Sequence, residues 1–188
     1  MNERQQIILL RGRIKILENN KKLLETQVKF LTTHQTLRAG ITGETIIANA
    51  VEGAITPYAR SYDVQSGAWE LEVKFSRLRR AGSRKGDDLR WAWLKLFGEG
   101  GNKTYDFLVL IGEKDERYKE DYLDTSTQPY VFFLIPQEDV ASLVHHSRGY
   151  QGIWIRSNPR GRHHSRADRL FSTYQISYED LEQRFRPL

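Results

Sequence analysis

The sequence predicts a mixed α/β (α+β) domain, a largely antiparallel central sheet flanked by helices, with a long N-terminal helix ahead of it. Three observations carry that expectation. FLVLI at 107–111 and VFFLI at 131–135 are continuous apolar runs of strand length, as expected of central strands covered on both faces. WELEVKFS at 69–76 instead alternates apolar and charged residues, the pattern of a strand with one polar face. Helical spacing governs most of the first fifty residues.

The first helix is expected over about residues 3–33, a stretch without proline and with only Gly12 as a breaker. Ile7, Leu10, Ile14, Leu17, Leu24, Val28 and Leu31 follow a 3–4 spacing, with Lys21 in the one polar position of the series. That is a coiled-coil register, open to two uses: a helix lying on its own domain, or a dimerisation helix. Residues 1–38 are therefore read as a separate N-terminal helix, and 39–188 as the main domain with a basic C-terminal region at 147–188. A second helix is expected at 43–54, where Ile47, Ala48 and Val51 share a face with Glu44 above them, and Pro57 ends it.

Strands follow at 58–64, 69–78, 89–97, 104–112 and 130–135, separated by QSGA, AGSRKGDD and GEGGNK, whose Gly, Asn and Asp suit hairpin loops. Pro136 opens a helix to about 145, QGIWIRS is a further strand, and Ser177 with Asp180 form a capping box ahead of Leu181 and Phe185.

The 188 residues are 39% hydrophobic and 28% charged, the profile of a soluble globular protein. No window approaches the ~18 apolar residues of a membrane span. The N-terminal MNERQQIILLRGR is too short in its apolar part for a secretory signal. Cysteine is absent, which excludes disulfides and cysteine zinc sites and makes a cytoplasmic, bacterial or phage setting the expectation. The net charge of +5 is unevenly spread: residues 1–39 and 76–103 each hold eight Lys/Arg against three acids, and 141–170 hold six against one. A chain with three basic segments around acidic ones suits a polyanionic partner.

The chemistry-bearing stretch is YDVQSGAWELEVKFS at 62–76. With QSGA as the hairpin loop, Asp63 is expected opposite Glu70, and Glu72 one same-face step further along. Opposed cross-strand carboxylates stand about 4.5–5.5 Å apart and repel, so a sheet gains nothing from them. A divalent cation reverses that sign. Oxygen donors without Cys or His favour a hard ion, Mg²⁺ with Mn²⁺ as substitute. Lys74 shares the face and would point at the same spot, where an ammonium can orient a water and offset developing charge.

Asp63, then Glu72-Val73-Lys74 on the next strand, then Ser76, resemble the PD-(D/E)xK nuclease superfamily, the fold of many type II restriction enzymes. The resemblance covers about residues 40–145, and it departs from the pattern in having Tyr62 where proline would stand. It implies a restriction-endonuclease-like fold and a metal-dependent endonuclease of restriction or homing type acting on double-stranded DNA. Asp63 and Glu72 would be metal ligands, Glu44 an additional or water-mediated one, and Lys74 the residue that positions or activates water. Glu70 shares the face, but only Glu72 stands two residues before Lys74. Cutting both strands asks for two sites, hence a homodimer or higher homo-oligomer. Two other readings keep part of this: a non-catalytic DNA-binding or assembly subunit retaining the fold, and a junction resolvase or repair nuclease.

DNA contacts are expected from Arg77, Arg79, Arg80, Arg84 and Lys85 in the loop after the ExK strand, and from Arg156, Arg160, Arg162 and Arg166 in the second basic run. Trp69, Trp91 and Trp93 are expected in the core, Tyr150 and Trp154 nearer the DNA, and the adjacent His pairs 145–146 and 163–164 at the surface. The acidic tract EKDERYKEDYLD is expected to be solvated and to face away from the duplex.

Overall fold

The structure, a computed structural model, describes residues 10, 13–15, 17–22, 24–26 and 28–29, then 35–57, 60–80, 89–97, 103–147, 150–161 and 168–186. The chain forms two compact units, Met1–Ala39 and Gly40–Leu188. In the first, every described residue between Leu10 and Lys29 is helical. Among the described residues no helix is long and apolar enough to cross a membrane.

Helix α1 (Gln35–Ala50) starts earlier and stops sooner than its apolar spacing alone suggests. It leads into β1 (Ala54–Ile55), β2 (Val64–Ser66), β3 (Trp69–Ser76), β4 (Arg79–Arg80), β5 (Leu89–Leu94) and β6 (Phe107–Glu113). After a 3₁₀ segment (Glu116–Asp121) come β7 (Tyr130–Pro136), the short α2 (Gln137–Leu143), β8 (His145–Ser147) and β9 (Tyr150–Arg156). A π-helical turn (Leu170–Tyr174), β10 (Gln175–Ile176) and α3 (Tyr178–Phe185) close the chain.

The sheet is mixed and largely antiparallel, as expected, with β3–β6 the parallel pair of a six-stranded order β1-β2-β3-β6-β7-β10. Phe107–Ile111 and Val131–Ile135 are buried throughout, so both central strands are covered on both faces. One face carries Ile47 of α1, Val51 just after it, and Leu181 and Phe185 of α3. The other is covered in large part by a second sheet, order β4-β5-β9-β8, where the sequence led us to expect helices alone. Trp91 and Trp93 of β5 fill the space between the sheets, and their indoles donate to the Glu113 and Ile111 carbonyls at 2.9 Å. A Cβ on Gly112 would meet the Trp91 ring at 2.5 Å, so this close approach requires glycine.

Other expectations need correction. Residues 60–63 are bends rather than strand, and β2 is only three residues long. Trp69 is 46% exposed, lying edge-on to Phe107 and Phe185 at the rim of the helix-side core. The acidic tract is not wholly solvated: Asp115 and Asp124 are buried. Asp115 takes Arg117 and the Ser157 hydroxyl, and Asp124 accepts the Tyr178 N–H at 3.0 Å, fastening the start of α3. At that helix start the Ser177 hydroxyl accepts the Asp180 N–H at 3.0 Å, closing one half of the expected cap.

Candidate active site

The hairpin that carries the site is tighter than its sequence suggests. Ser66 pairs with Trp69 across a two-residue Gly67-Ala68 loop, with Gly67 at φ 56° where glycine is favoured. That two-residue loop shifts the register, so Gln65, not Asp63, stands opposite Glu70. Asp63 lies just before β2, donates its N–H to the Leu71 carbonyl at 2.9 Å, and accepts the Val73 N–H on Oδ2 at 2.9 Å. Its carboxylate is thereby fixed beside Glu72 rather than Glu70.

Glu72 has no solvent exposure. Lys74, on the same face of β3, bonds its carboxylate and lies 3.8 Å from Asp63 Oδ2. The second cation was not anticipated. Lys103 donates to both Glu72 oxygens, at 2.7 and 2.6 Å, and lies 3.5 Å from Asp63 Oδ1.

The strand that follows explains how Lys103 gets there. Asp106 clamps the start of β6 to β3, donating its N–H to the Glu70 carbonyl and accepting the Glu70 N–H, both at 2.8 Å. Just upstream, Thr104 Oγ1 donates to the Ser61 hydroxyl at 3.3 Å, drawing the approach to β6 against the segment before Asp63. In the sequence, Lys103 is one lysine after a Gly-rich loop, and its only signal is its nearness to Asp106 and the FLVLI strand.

Glu44 of α1 completes the group. Burial raises its carboxyl above the ordinary range, the negative charges of Asp63 and Glu72 add to that, and Lys74 and Lys103 oppose it. Burial likewise raises Glu72, with Asp63 adding and Lys74 opposing. For Lys103, burial alone would lower the ammonium, but the Glu72 hydrogen bonds and the Asp63 charge outweigh it and hold it above its ordinary value. Asp63 and Glu72 therefore face two ammonium groups, Lys74 and Lys103, with Glu44 within electrostatic reach of all four.

The donor set suits a hard divalent cation. Among the described residues no three Asp, Glu or His side chains gather closely enough to ligate one ion by themselves. Asp63 and Glu72, however, converge on a single positive charge, the Lys103 ammonium. Two carboxylates completed by water are the usual protein contribution to a Mg²⁺ site. Glu44 then fits a water-mediated place better than a direct one.

A substitution separates this arrangement from a structural ion-pair network. A carboxyl raised by folding binds its proton more tightly in the native state, so its contribution to stability is lost as pH rises above the unfolded value of 4.5. Glu44→Gln is therefore expected to raise the metal-free Tm at pH 7 by roughly 2–4 °C, with the gain vanishing below pH 4.5, where both states are protonated. Melting curves in EDTA at both pH values check it. A lower Tm at pH 7 would mark Glu44 as a stabilising ion-pair member.

The basic residues are less uniform. Arg77 sits 3.5 Å from Glu113 and is half exposed, while Arg79, Arg80 and Arg156 are exposed on the second sheet. Arg160 pairs with Asp121 at 2.7 Å. Arg84, Lys85, Arg162, Arg166 and the 163–164 His pair lie outside the described residues. Trp154 is half-buried and its ring lies 6.4 Å from that of His145. No protein-family model matches the chain, and a search of curated proteins finds no match either.

Proposed function

We propose that this chain is a metal-dependent endonuclease of the PD-(D/E)xK type, hydrolysing phosphodiester bonds of duplex DNA in a restriction or homing role. The observation that carries the reading is the convergence of Asp63, Glu72 and Lys74, with the Glu44 carboxyl within the same field. A sheet has no structural reason to bury Glu72 beside a second carboxylate; a phosphoryl-transfer site does. Bound there, Mg²⁺ or Mn²⁺ would polarise the scissile phosphoryl oxygen and acidify a water. Asp63 and Glu72 would hold the ion, Glu44 would take a water of its shell, and Lys74 would orient the attacking water and offset the charge of the pentavalent phosphorus.

Supercoiled plasmid tests this directly. Nicked and linear products in Mg²⁺, abolished by EDTA, are expected. DNA bound in Ca²⁺ yet uncut in Mg²⁺ and Mn²⁺ would replace the nuclease reading with that of a binding subunit.

Cutting both strands asks for two copies of the site, and the N-terminal helix offers a means. Leu10, Ile14, Leu17, Leu24 and Val28 are each more than half exposed, at heptad spacing around Lys21. A homodimer through this stripe is the expected state. Leu17→Glu combined with Leu24→Glu should convert it to a monomer in sedimentation, with the tryptophan fluorescence of the main unit unchanged. A monomeric wild type, or a dimer that survives both substitutions, would remove the helix from this role.

A further inference from the structure

We propose that the outward face of the second sheet grips the phosphate backbone of duplex DNA through a row of three arginines, Arg79, Arg90 and Arg156. The proposal rests on the duplex-DNA reading above and names a surface that holds the substrate. Its first ground is register. Arg79 is the direct partner of Arg90, and Arg90 of Arg156, so the three occupy one cross-strand row on neighbouring strands. Directly opposed residues share a face at about 4.5–5.5 Å spacing, where like charges repel. Three arginines so aligned concentrate positive charge in one strip across the sheet, which the phosphates of a polyanion complement.

The face is also the outward one. Trp91, Trp93, Ile153 and Ile155, which alternate with the row, are at most 3% exposed, whereas Arg79, Arg90 and Arg156 are all exposed. Beside the row come the Ala92–Trp154 pair and then Leu94 and His145, the latter two flanking Gly152. Among the described residues at outward positions of this sheet there is no acid. A basic, partly aromatic face of this kind complements a phosphate backbone.

Its place in the fold connects it to the site. Ser76, one same-face step beyond Lys74 on β3, accepts the Ala92 N–H at 2.9 Å. Arg90 lies two residues before Ala92, about 7 Å along the strand. The same strand that presents Glu72 and Lys74 thus fixes the sheet that presents the row. Arg90 is the middle of the three and was invisible as a contact residue in the sequence, where it stands alone between Leu89 and Trp91.

The test is equilibrium binding of a short fluorescein-labelled duplex of arbitrary sequence, by anisotropy in Ca²⁺, across about 0.05–0.2 M salt. Arg90→Gln is expected to weaken binding about fivefold at the upper end and to lower the log–log salt slope by about 1. Lys119→Gln, an exposed cation of the 3₁₀ segment, is the control and is expected to leave both unchanged. Arg90→Gln should also melt within a few degrees of the wild type, because Arg90 is exposed on the sheet. Unchanged affinity and slope in Arg90→Gln, an equal loss in Lys119→Gln, or a Tm more than a few degrees lower in Arg90→Gln would each overturn the proposal. A wild type that cuts plasmid while Arg90→Gln binds normally sinks the row alone. A wild type that binds through the row without cutting sinks only the nuclease reading.

Discussion

Lys74→Ala is expected to slow plasmid nicking by about 10³-fold at saturating Mg²⁺, with duplex binding in Ca²⁺ essentially unchanged. The magnitude follows from what the ammonium touches. Lys74 bonds Glu72 and lies 3.8 Å from Asp63, so it faces the point where the two carboxylates converge, and not the exposed face of the second sheet. A charge placed there acts on the transition state, where negative charge accumulates, far more than on the bound duplex. The loss should therefore fall on the single-turnover rate, and Lys74→Arg, with a bulkier and differently shaped cation, should restore little of it. The fold should persist, since Lys103 still supplies two hydrogen bonds to buried Glu72. Cleavage by Lys74→Ala at the wild-type rate would remove Lys74 from the chemistry and with it the meaning of the ExK spacing.

How far the site could be read from sequence depends on how far along the chain each contact reaches. Glu72 and Lys74 are two residues apart on one strand, so period-2 geometry places them on one face without further information. Asp63 was found for the same local reason, but its partner was misplaced. The QSGA stretch closes through Gly67 and Ala68 alone, and that shorter loop moves the register from Glu70 toward Glu72. A change of two in loop length therefore decides which carboxylate faces Asp63, and composition does not fix it.

Glu44 was legible through helical spacing, because α1 presents Ile47 and Ala48 to the core and the next turn back follows from the period. Lys103 was not legible, since its position depends on the parallel pairing of β3 with β6, between partners 36 residues apart, which leaves no local pattern. The second sheet escaped for a related reason. Its strands β5 and β9 read as continuations of a single sheet until the tryptophans of β5 show which surface they cover, and β4 fell within the expected basic loop.

The Lys103 contact leads to the other large effect. Glu72 is wholly buried, and in the metal-free protein its charge is met by two ammonium groups. Removing one partner of a buried ion pair costs about 3–5 kcal/mol when nothing replaces it. Here Lys74 remains and Lys103 is itself a quarter exposed, so Lys103→Met is expected to cost about 2 kcal/mol, a fall in Tm of roughly 4–8 °C in EDTA. Methionine keeps most of the side-chain volume, which separates the loss of charge from the loss of packing. The carboxylates that Lys103 leaves behind then carry more uncompensated negative charge, and any cation they bind no longer competes with the ammonium. The Tm deficit of Lys103→Met should accordingly shrink in millimolar Ca²⁺, and calorimetry should show it binding Ca²⁺ more tightly than the wild type. An equal deficit with and without Ca²⁺ would mean that Lys103 and a metal ion do not share Asp63 and Glu72. In that case the lysine serves only to hold Glu72 in the fold, and the donor set for a metal has to be sought elsewhere around Glu44.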